Sequence, residues 1–399
     1  MASTSTTIDS PARQYTLMLV VAIIASNTLA LSPILSEVAG SLGSTTVTAA
    51  RAISVYGAGT MVSALFLAPK IDEIGATRAL QICMPALSAA FLGSAFATNI
   101  VLLASAQALA GLSAGVILPA CYAVATATAR PTDAARSLGR VLFGWSLAFI
   151  GGIPGLALIS EHFGWRVSYA VLLLASLLAT HRIWRSRQPE RGVLGEHSPA
   201  SALTFRTYRY IASLLAVCLC FTSAFYGVFA FFIDHVRRDS DISATKAGVI
   251  VLFFGAGFAC ATSVTHLVDR VGAQRLLPAV FLLNALAYTL MVAAGQHFLA
   301  VLAVAIMWGA MTNMSLNMIV LLLSKVRSGH KGRILGLNSA MTYLGATSGV
   351  AIAGQIYASV GFEAVLLGAA TLQICGAMLV WTAASPKVAT WAQPRQSHP

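Results

Sequence analysis

The chain has 399 residues, of which 57% are hydrophobic and 10% are charged, whereas charged residues make up about 25% of an ordinary soluble domain. This composition excludes a soluble enzyme. The net charge of +12 raises the question of nucleic acid, but the basic residues lie in short segments between apolar runs and form no basic face. We therefore expect no nucleic-acid partner.

Apolar runs follow one another along the whole chain, and about 20 apolar residues suffice for one membrane span. The stretch 79–129 has no Lys, Arg, Asp or Glu, so it holds two spans joined by a tight turn near Thr98 and Asn99. We predict an all-α membrane protein with twelve transmembrane helices. The predicted spans are 15–37, 48–69, 79–97, 100–124, 141–160, 165–184, 211–233, 247–267, 276–296, 298–324, 334–358 and 364–384.

The predicted spans form two six-helix bundles, 15–184 and 210–384. A tail at 1–14, a polar linker at 185–209 and a tail at 385–399 complete the chain. The even number of spans puts both termini on one side, and most of the 25 basic residues lie on that side. Positively charged loops stay in the cytoplasm, which predicts cytoplasmic termini. The other side holds only Arg51, Arg166, Arg237, Arg238 and Lys246.

A shift of 197 residues lays the second half of the chain on the first. The matched pairs are Glu37 with Asp234, Asp72 with Asp269, Gly75 with Gly272, Arg78 with Arg275, Gly152 with Gly349 and Gly164 with Gly361. The chain therefore contains two six-span repeats in parallel orientation. Transporters built from paired halves hold their substrate between the halves near the middle of the bilayer, and they alternate access by rocking.

The sequence offers no catalytic or cofactor motif. All six cysteines lie inside apolar runs, so no disulfide framework is indicated. No His stands near them at metal-ligand spacing, and there is no Walker loop. We predict no cofactor, no metal and no enzymatic activity.

Two loops carry a recognisable pattern. Residues 68–78, APKIDEIGATR, and 265–275, THLVDRVGAQR, resemble the G-x-x-x-D-R-x-G-R loop of the major facilitator superfamily. The first departs from it at Glu73, where the family has Arg. The residues Gly152-Ile153-Pro154-Gly155 and Gly164-Trp165-Arg166 resemble the Gly-Pro-Gly stretch and the G-W-R entry of the drug/proton antiporter branch, which includes sugar exporters.

The resemblance implies a gate at the cytoplasmic side. It places Asp72 near Arg333 at the start of span eleven, and by repeat symmetry Asp269 near Arg136 at the start of span five. A carboxylate at a helix amino terminus is stabilised by about 0.3 to 1 kcal/mol. The same gate includes Gly75, Arg78, Arg270 and Gly272; ordinary loop capping is the alternative interpretation.

The resemblance also implies a helix bend at Gly152, Pro154 and Gly155. The alternative is close helix packing at small-xxx-small spacing, as at the pairs Gly151 and Gly155, Gly111 and Gly115, and Gly345 and Gly349.

No acidic residue falls in the middle of a predicted span. Asn27 stands where related exporters often place an acidic residue, and Gln107 stands where the family has an Arg. Both side chains are uncharged, so the family's proton mechanism does not simply carry over. The remaining coupling candidates are Glu37, Asp234 and Arg51. Glu37 and Arg51 are a candidate extracellular gate or protonatable pair; two side chains that snorkel to water are the alternative.

Spans one, four, seven and ten are expected to line the cavity, and their polar side chains are uncharged. Asn313 and Asn317 lie one helical turn apart and share a face; hydrogen bonding between helices is the competing role. An uncharged, amide- and aromatic-lined cavity suits a neutral or amphipathic small molecule. The predicted substrate-binding residues are Asn27, Gln107, Tyr122, Tyr226, Trp308, Asn313 and Asn317.

These observations together predict a monomeric exporter of small organic solutes in a bacterial inner membrane, surrounded by lipid, with proton antiport implied by the resemblance alone. A facilitator or importer without proton coupling is one alternative. A non-transporting membrane sensor built on a transporter scaffold is the other.

Overall fold

The computed structural model describes residues 11–127, 134–185, 205–239, 242–261, 268, 270–294, 297–324 and 331–383. These residues are almost entirely helical, and no strand occurs among them. We call the end of the bundle that carries the start of the first helix and both ends of the linker the linker face. The opposite end is the distal face.

Nine helices lie in the described part of the first half, and some of them are parts of one span. Pro33 begins a 3-10 turn, Ser32–Ile34, that separates α1 from α2, and a π-turn, Ala148–Gly152, separates α7 from α8. The helices are α1 Pro11–Ala30, α2 Leu35–Ser41, α3 Thr46–Phe66, α4 Ile71–Ile74, α5 Ala76–Ala95, α6 Ile100–Ala127, α7 Ala134–Leu147, α8 Ile153–Phe163 and α9 Trp165–Arg185.

The second half repeats the long helices of the first. They are α10 Phe205–Asp239, α11 Ala244–Cys260, α12 Ala273–Ala294, α13 Phe298–Ser324, α14 Lys331–Ser359 and α15 Phe362–Ala383. Among the described residues, each predicted span overlaps one helix, except that 15–37 covers α1 with α2 and 141–160 covers α7 with α8. The largest difference is α10, which has 35 residues and extends past both ends of the predicted span 211–233, so its polar ends remain helical.

Among the described residues, 8 helices are long and apolar enough to cross a membrane. The apolar helix α11 is shorter. Helices α3, α5 and α14 fall outside that set, and α3 and α14 pack against each other across the two halves. A Cβ added at Gly57 of α3 would lie 2.8 Å from Thr347 Oγ1 of α14, and that hydroxyl donates to the Ser54 carbonyl at 3.3 Å.

The repeat at 197 residues is visible in the backbone. Gly75 and Gly272 have φ angles of 87° and 89°, and each immediately precedes a long helix. Gly164 and Gly361 form a second matched pair, with φ angles of 86° and 113°. Side chains disfavour this region of φ, so glycine at these turns lets each half reverse direction at the same point.

Glycines also set the crossing of neighbouring helices within each half. A Cβ at Gly111 of α6 would lie 2.1 Å from the Tyr56 carbonyl oxygen of α3, and one at Gly309 of α13 would lie 2.0 Å from the Phe254 carbonyl oxygen of α11. The close-packing interpretation is wrong for Gly151 and Gly155, where a Cβ would meet nothing within 4 Å.

Candidate functional site

The two halves are joined at the distal face by an ion pair between α2 and α10. Arg237 donates to both carboxylate oxygens of Glu37, with Nη1 at 2.8 Å from Oε2, and also to the Pro33 carbonyl at 2.6 Å. The side chains are partly buried, with 15% of Arg237 and 32% of Glu37 exposed. This two-pronged geometry is the strong form of an arginine–carboxylate contact.

Asp234, one helical turn before Arg238, makes a second contact between the same helices. Its side chain is 0% exposed, and Oδ1 accepts from the Ser36 backbone N–H at 3.0 Å and from the Ser36 hydroxyl. Arg238 Nε lies 3.2 Å from Oδ2, but Oδ2 has no hydrogen-bond partner. A buried carboxylate with one unsatisfied oxygen is therefore built into the interface between the halves.

Two further contacts hold the distal ends together. Ser32 donates to the Phe229 carbonyl, and Glu161 at the end of α8 accepts from the Thr245 backbone N–H in the first turn of α11 at 2.5 Å. We refer to all of these contacts as the distal latch. It consists of Ser32, Ser36, Glu37 and Glu161 of the first half with Phe229, Asp234, Arg237, Arg238 and Thr245 of the second.

The predicted pairing of Glu37 with Arg51 is wrong. Arg51 is exposed near the start of α3, whereas Glu37 binds Arg237. Helix α2 follows the 3-10 turn at Ser32–Ile34 and packs on α10, so the Glu37 carboxylate meets the opposite half rather than its own. The latch therefore joins the two repeats.

Aromatic rings fill the interface next to the latch. Phe149, in the π-turn of the first half, lies 5.0 Å from Phe254 and 5.2 Å from Phe258 between ring centroids. Trp308 is 1% exposed and lies 4.8 Å from Phe254, and its indole N–H donates to Tyr288 at 3.2 Å. The structure thus places Trp308, a predicted substrate contact, in a packed aromatic cluster.

Four tyrosines from both halves lie within electrostatic range of one another: Tyr343 of α14 with Tyr56 of α3, Tyr122 of α6 and Tyr226 of α10. Tyr56, Tyr226 and Tyr343 are buried. Tyr56 also shares a hydrogen bond with Thr28 at 3.1 Å, and Tyr122 accepts from the Trp145 indole at 3.3 Å. We call these four tyrosines the tyrosine group. It contains the predicted substrate contacts Tyr122 and Tyr226, whose role in binding stays a prediction, together with Tyr56 and Tyr343.

Asn27 and Gln107 form a polar network inside the first half. Asn27 Nδ2 donates to Gln107 Oε1 at 3.1 Å, and Gln107 Nε2 donates to Ser94 at 3.0 Å. Both amides are buried, with exposures of 3% and 1%. The hydrogen bonds join α1, α5 and α6, so in this conformation these amides bind one another.

Asn313 and Asn317 lie on one face of α13, as their spacing predicts. Asn317 Nδ2 donates to Asn313 Oδ1 at 2.6 Å and to the Asn313 carbonyl at 3.0 Å. Asn313 is buried, whereas Asn317 is exposed. Asn317 can therefore exchange its intrahelical bonds for a bond to a solute.

The span leaves α-helical geometry at Ala148–Gly152, two residues before Pro154. These residues form the π-turn, and Pro154 stands in the first turn of α8. A π-turn and a proline are two recognised causes of a helix bend. A Cβ at Gly255 of α11 would lie 2.8 Å from the Cβ of Phe149, so the irregular segment is where α11 approaches. Gly155 faces open space.

The predicted gate at the linker face is described only in part. Gly75 and Gly272 form the equivalent turns, and Arg78 and Arg270 are exposed. Asp269 lies outside the described residues. The side chains of Asp72, Arg136 and Arg333 are likewise outside the described part of the structure, so the proposed contacts between the halves at this face remain a prediction.

Several residues of the latch and of the tyrosine group were not predicted from the sequence, and Arg237, Ser36 and Tyr343 show why. Arg237 and Ser36 were missed because their repeat equivalents, Gly40 and Ile233, have a different chemistry. Tyr343 was missed because span eleven was not expected to line the cavity. The sequence did contain one indication for Arg237: it is one of only five basic residues predicted on the distal side, so it was a candidate partner for an acidic residue there.

The sequence profile of the Major Facilitator Superfamily matches residues 17–266 and 216–398, which together cover most of the chain. The chain belongs to this superfamily. It is thus a multi-pass membrane transporter rather than an enzyme.

Curated relatives of this Major Facilitator Superfamily chain include efflux proteins. The MFS-type transporter YwfA of Bacillus subtilis is 27% identical over 361 residues, covering 89% of this chain and 87% of the relative. The chloramphenicol resistance protein of Streptomyces lividans is 24% identical over 269 residues, covering 66% and 68%. Multidrug resistance protein 2 of Bacillus subtilis is 24% identical over 352 residues, covering 82% and 85%.

Proposed function

We propose that this transporter exports small neutral or amphipathic organic solutes, drug-like or sugar-like, across a bacterial inner membrane, with both termini in the cytoplasm. The observation that carries the proposal is the tyrosine group, in which buried aromatic side chains with hydroxyl groups from both halves lie within electrostatic range of one another. Aromatic rings with polar tips bind amphipathic molecules through apolar contact and a few hydrogen bonds. The resistance proteins among the relatives support the same class of solute.

In this proposal the structure is the state that opens to the cytoplasm. The described hydrogen bonds between the halves lie toward the distal face, where the distal latch and the aromatic cluster join α2, α8 and α10. A solute would enter from the linker face, reach the tyrosine group and Asn317, and leave once the latch opens. Rocking of two halves around a midplane site is the expected motion.

We assign proton coupling to Asp234. It is the buried carboxylate of the latch, and one of its oxygens has no hydrogen-bond partner. Asp234 would bind a proton while the distal side is open and release it toward the linker face after the halves have rocked, when the carboxylate pairs with Arg238 as it does here. One proton would then enter for each solute exported. Charged side chains inside a membrane protein are costly and mark ion pathways.

Transport into everted membrane vesicles tests the function. Vesicles that contain the chain should take up chloramphenicol when their interior is made acidic, and a protonophore should abolish the uptake. Vesicles without the chain are the control, and a parallel series with a radiolabelled disaccharide compares the two solute classes. Absence of uptake for every solute of both classes would refute export.

A facilitator without proton coupling is the second candidate. The observation in its favour is that Asn27 and Gln107, at positions where related exporters carry charge, are neutral and bonded to each other. The same vesicles distinguish the two functions: uptake of equal rate with and without the pH gradient would establish the facilitator and remove the role given to Asp234.

A further inference from the structure

A cleft at the linker face of the first half is separate from the transport pathway described above. It has a volume of about 690 Å³ and is formed by the ends of α1, α5, α6 and α9. Its inner wall is apolar and includes Leu17, Leu80 and Val124. A cavity of this size lies within the range of about 300 to 1,000 Å³ that is typical of ligand sites.

Four basic side chains surround the cleft: Arg13, His181, Arg182 and Arg185. No acidic side chain lines it among the residues that the structure describes. His181, Arg182 and Arg185 are exposed at the end of α9, while Arg13 at the start of α1 donates to Thr77 Oγ1 at 3.3 Å. Cations above an apolar wall suit a ligand that has an anionic head and an apolar body.

Aromatic side chains next to the cleft indicate its depth in the bilayer. Tyr15 is 61% exposed and Trp184 is 59% exposed, and the Trp184 indole N–H donates to the Gln81 carbonyl at 3.2 Å. Exposed Tyr and Trp are enriched where the hydrocarbon meets the headgroups. The cleft therefore lies at the level of lipid phosphates.

The second half lacks this charge. The repeat equivalents of Arg13, His181, Arg182 and Arg185 are Tyr210, Met378, Leu379 and Thr382, none of which is basic. The neighbouring tryptophan is kept, since Trp184 corresponds to Trp381, which is 78% exposed. The tryptophan therefore occurs in both halves, whereas the cluster of basic residues occurs only at the cleft of the first half.

We propose that this cleft binds the phosphate group of an anionic ligand, with an anionic phospholipid of the cytoplasmic leaflet as the source that the apolar wall favours. The assignment of the leaflet rests on the proposed cytoplasmic orientation of the termini. Guanidinium groups pair with phosphate through parallel hydrogen bonds, and basic pockets between membrane helices on the cytoplasmic side bind lipid headgroups. A bound lipid would join α1 to α9 next to the linker.

The test is a binding titration of the purified full-length chain in neutral detergent, followed by native mass spectrometry and by thermal unfolding. The probes are dioleoylphosphatidylglycerol, dioleoylphosphatidylcholine and inorganic phosphate. We expect phosphatidylglycerol to bind and to raise the unfolding temperature, and the other two to have little effect. The double variant R182Q/R185Q should weaken phosphatidylglycerol binding about thirtyfold. R182K/R185K should restore only part of it, because lysine keeps the charge but loses the parallel hydrogen bonds.

The matched control is R209Q/R275Q, which removes two exposed arginines from the linker face of the second half. It has the same net charge as R182Q/R185Q and should bind phosphatidylglycerol like the unmodified chain. Equal loss in both double variants would overturn the proposal in favour of diffuse surface charge. Equal binding of phosphatidylcholine would also overturn it, and saturable binding of inorganic phosphate at the same arginines would replace the lipid by a soluble phosphate compound.

Discussion

Glu37 and Asp234 occupy equivalent positions in the two repeats, yet their surroundings differ. Glu37 is 32% exposed and is fully paired with Arg237. Asp234 is 0% exposed, accepts from Ser36 and leaves one oxygen without a hydrogen bond. Each carboxylate contacts the opposite half.

The difference arises from the neighbours that each half supplies. The second half brings both arginines of the latch, whereas the first half has Gly40 and Ser41 at the equivalent positions. Repeat symmetry therefore fixes where the carboxylates lie, and the unmatched arginines give them different partners. Arg237 binds both oxygens of the partly exposed Glu37, whereas Arg238 approaches only Oδ2 of the buried Asp234, at 3.2 Å. Asp234 is left as the group whose protonation state can change the contact between the halves.

The largest expected effect concerns a feature that both halves share, the close crossing of two helices at a glycine. G111A places a methyl group against the Tyr56 carbonyl and G309A places one against the Phe254 carbonyl. Because α3 with α6, and α11 with α13, must then separate, each variant should lose about 2 to 3 kcal/mol of stability or more. Thermal unfolding in detergent measures this loss, with G151A, which faces open space, as the control. Normal stability of either variant would show that the two helices of that half do not cross as closely at the glycine as the structure places them.

The next effect separates the two carboxylates. D234N keeps the hydrogen bonds of the buried side chain but removes its ability to bind and release a proton. Uptake driven by a pH gradient should fall about tenfold or more, while exchange of solute without a gradient should persist.

The matched control is D239N, which removes a carboxylate from an exposed position at the end of the same helix. It should leave gradient-driven uptake unchanged. If E37Q abolished the response to the gradient and D234N did not, the roles assigned to the two repeats would be reversed.

The sequence predicts the fold well and the latch only in part. Charge-free runs define the spans, and glycines such as Gly75 and Gly272 define the repeat, because both signals are local and each has one physical cause. The partner of Glu37 depends on how α2 packs on α10 across 200 residues of chain, which no local pattern reports. The surroundings of Trp308 could not be predicted for a related reason: its position on span ten follows from the sequence, but the rings that pack around it come from distant parts of the chain.

The smallest expected effect concerns the Glu37–Arg237 pair. Partly exposed ion pairs contribute about 0.5 to 1 kcal/mol, so E37Q or R237Q should shift the balance between the two access states about two- to fivefold toward the distal-open state. Labelling of a single cysteine introduced near the tyrosine group, from the distal side, measures that balance.

The exchanged variant E37R/R237E should restore much of the original balance, because the pair is re-formed with its charges reversed. Arg51 provides the control, since R51Q removes a nearby exposed cation that Glu37 does not bind. If R51Q matched R237Q in this measurement, general charge at the distal face rather than the specific contact between α2 and α10 would hold the halves together.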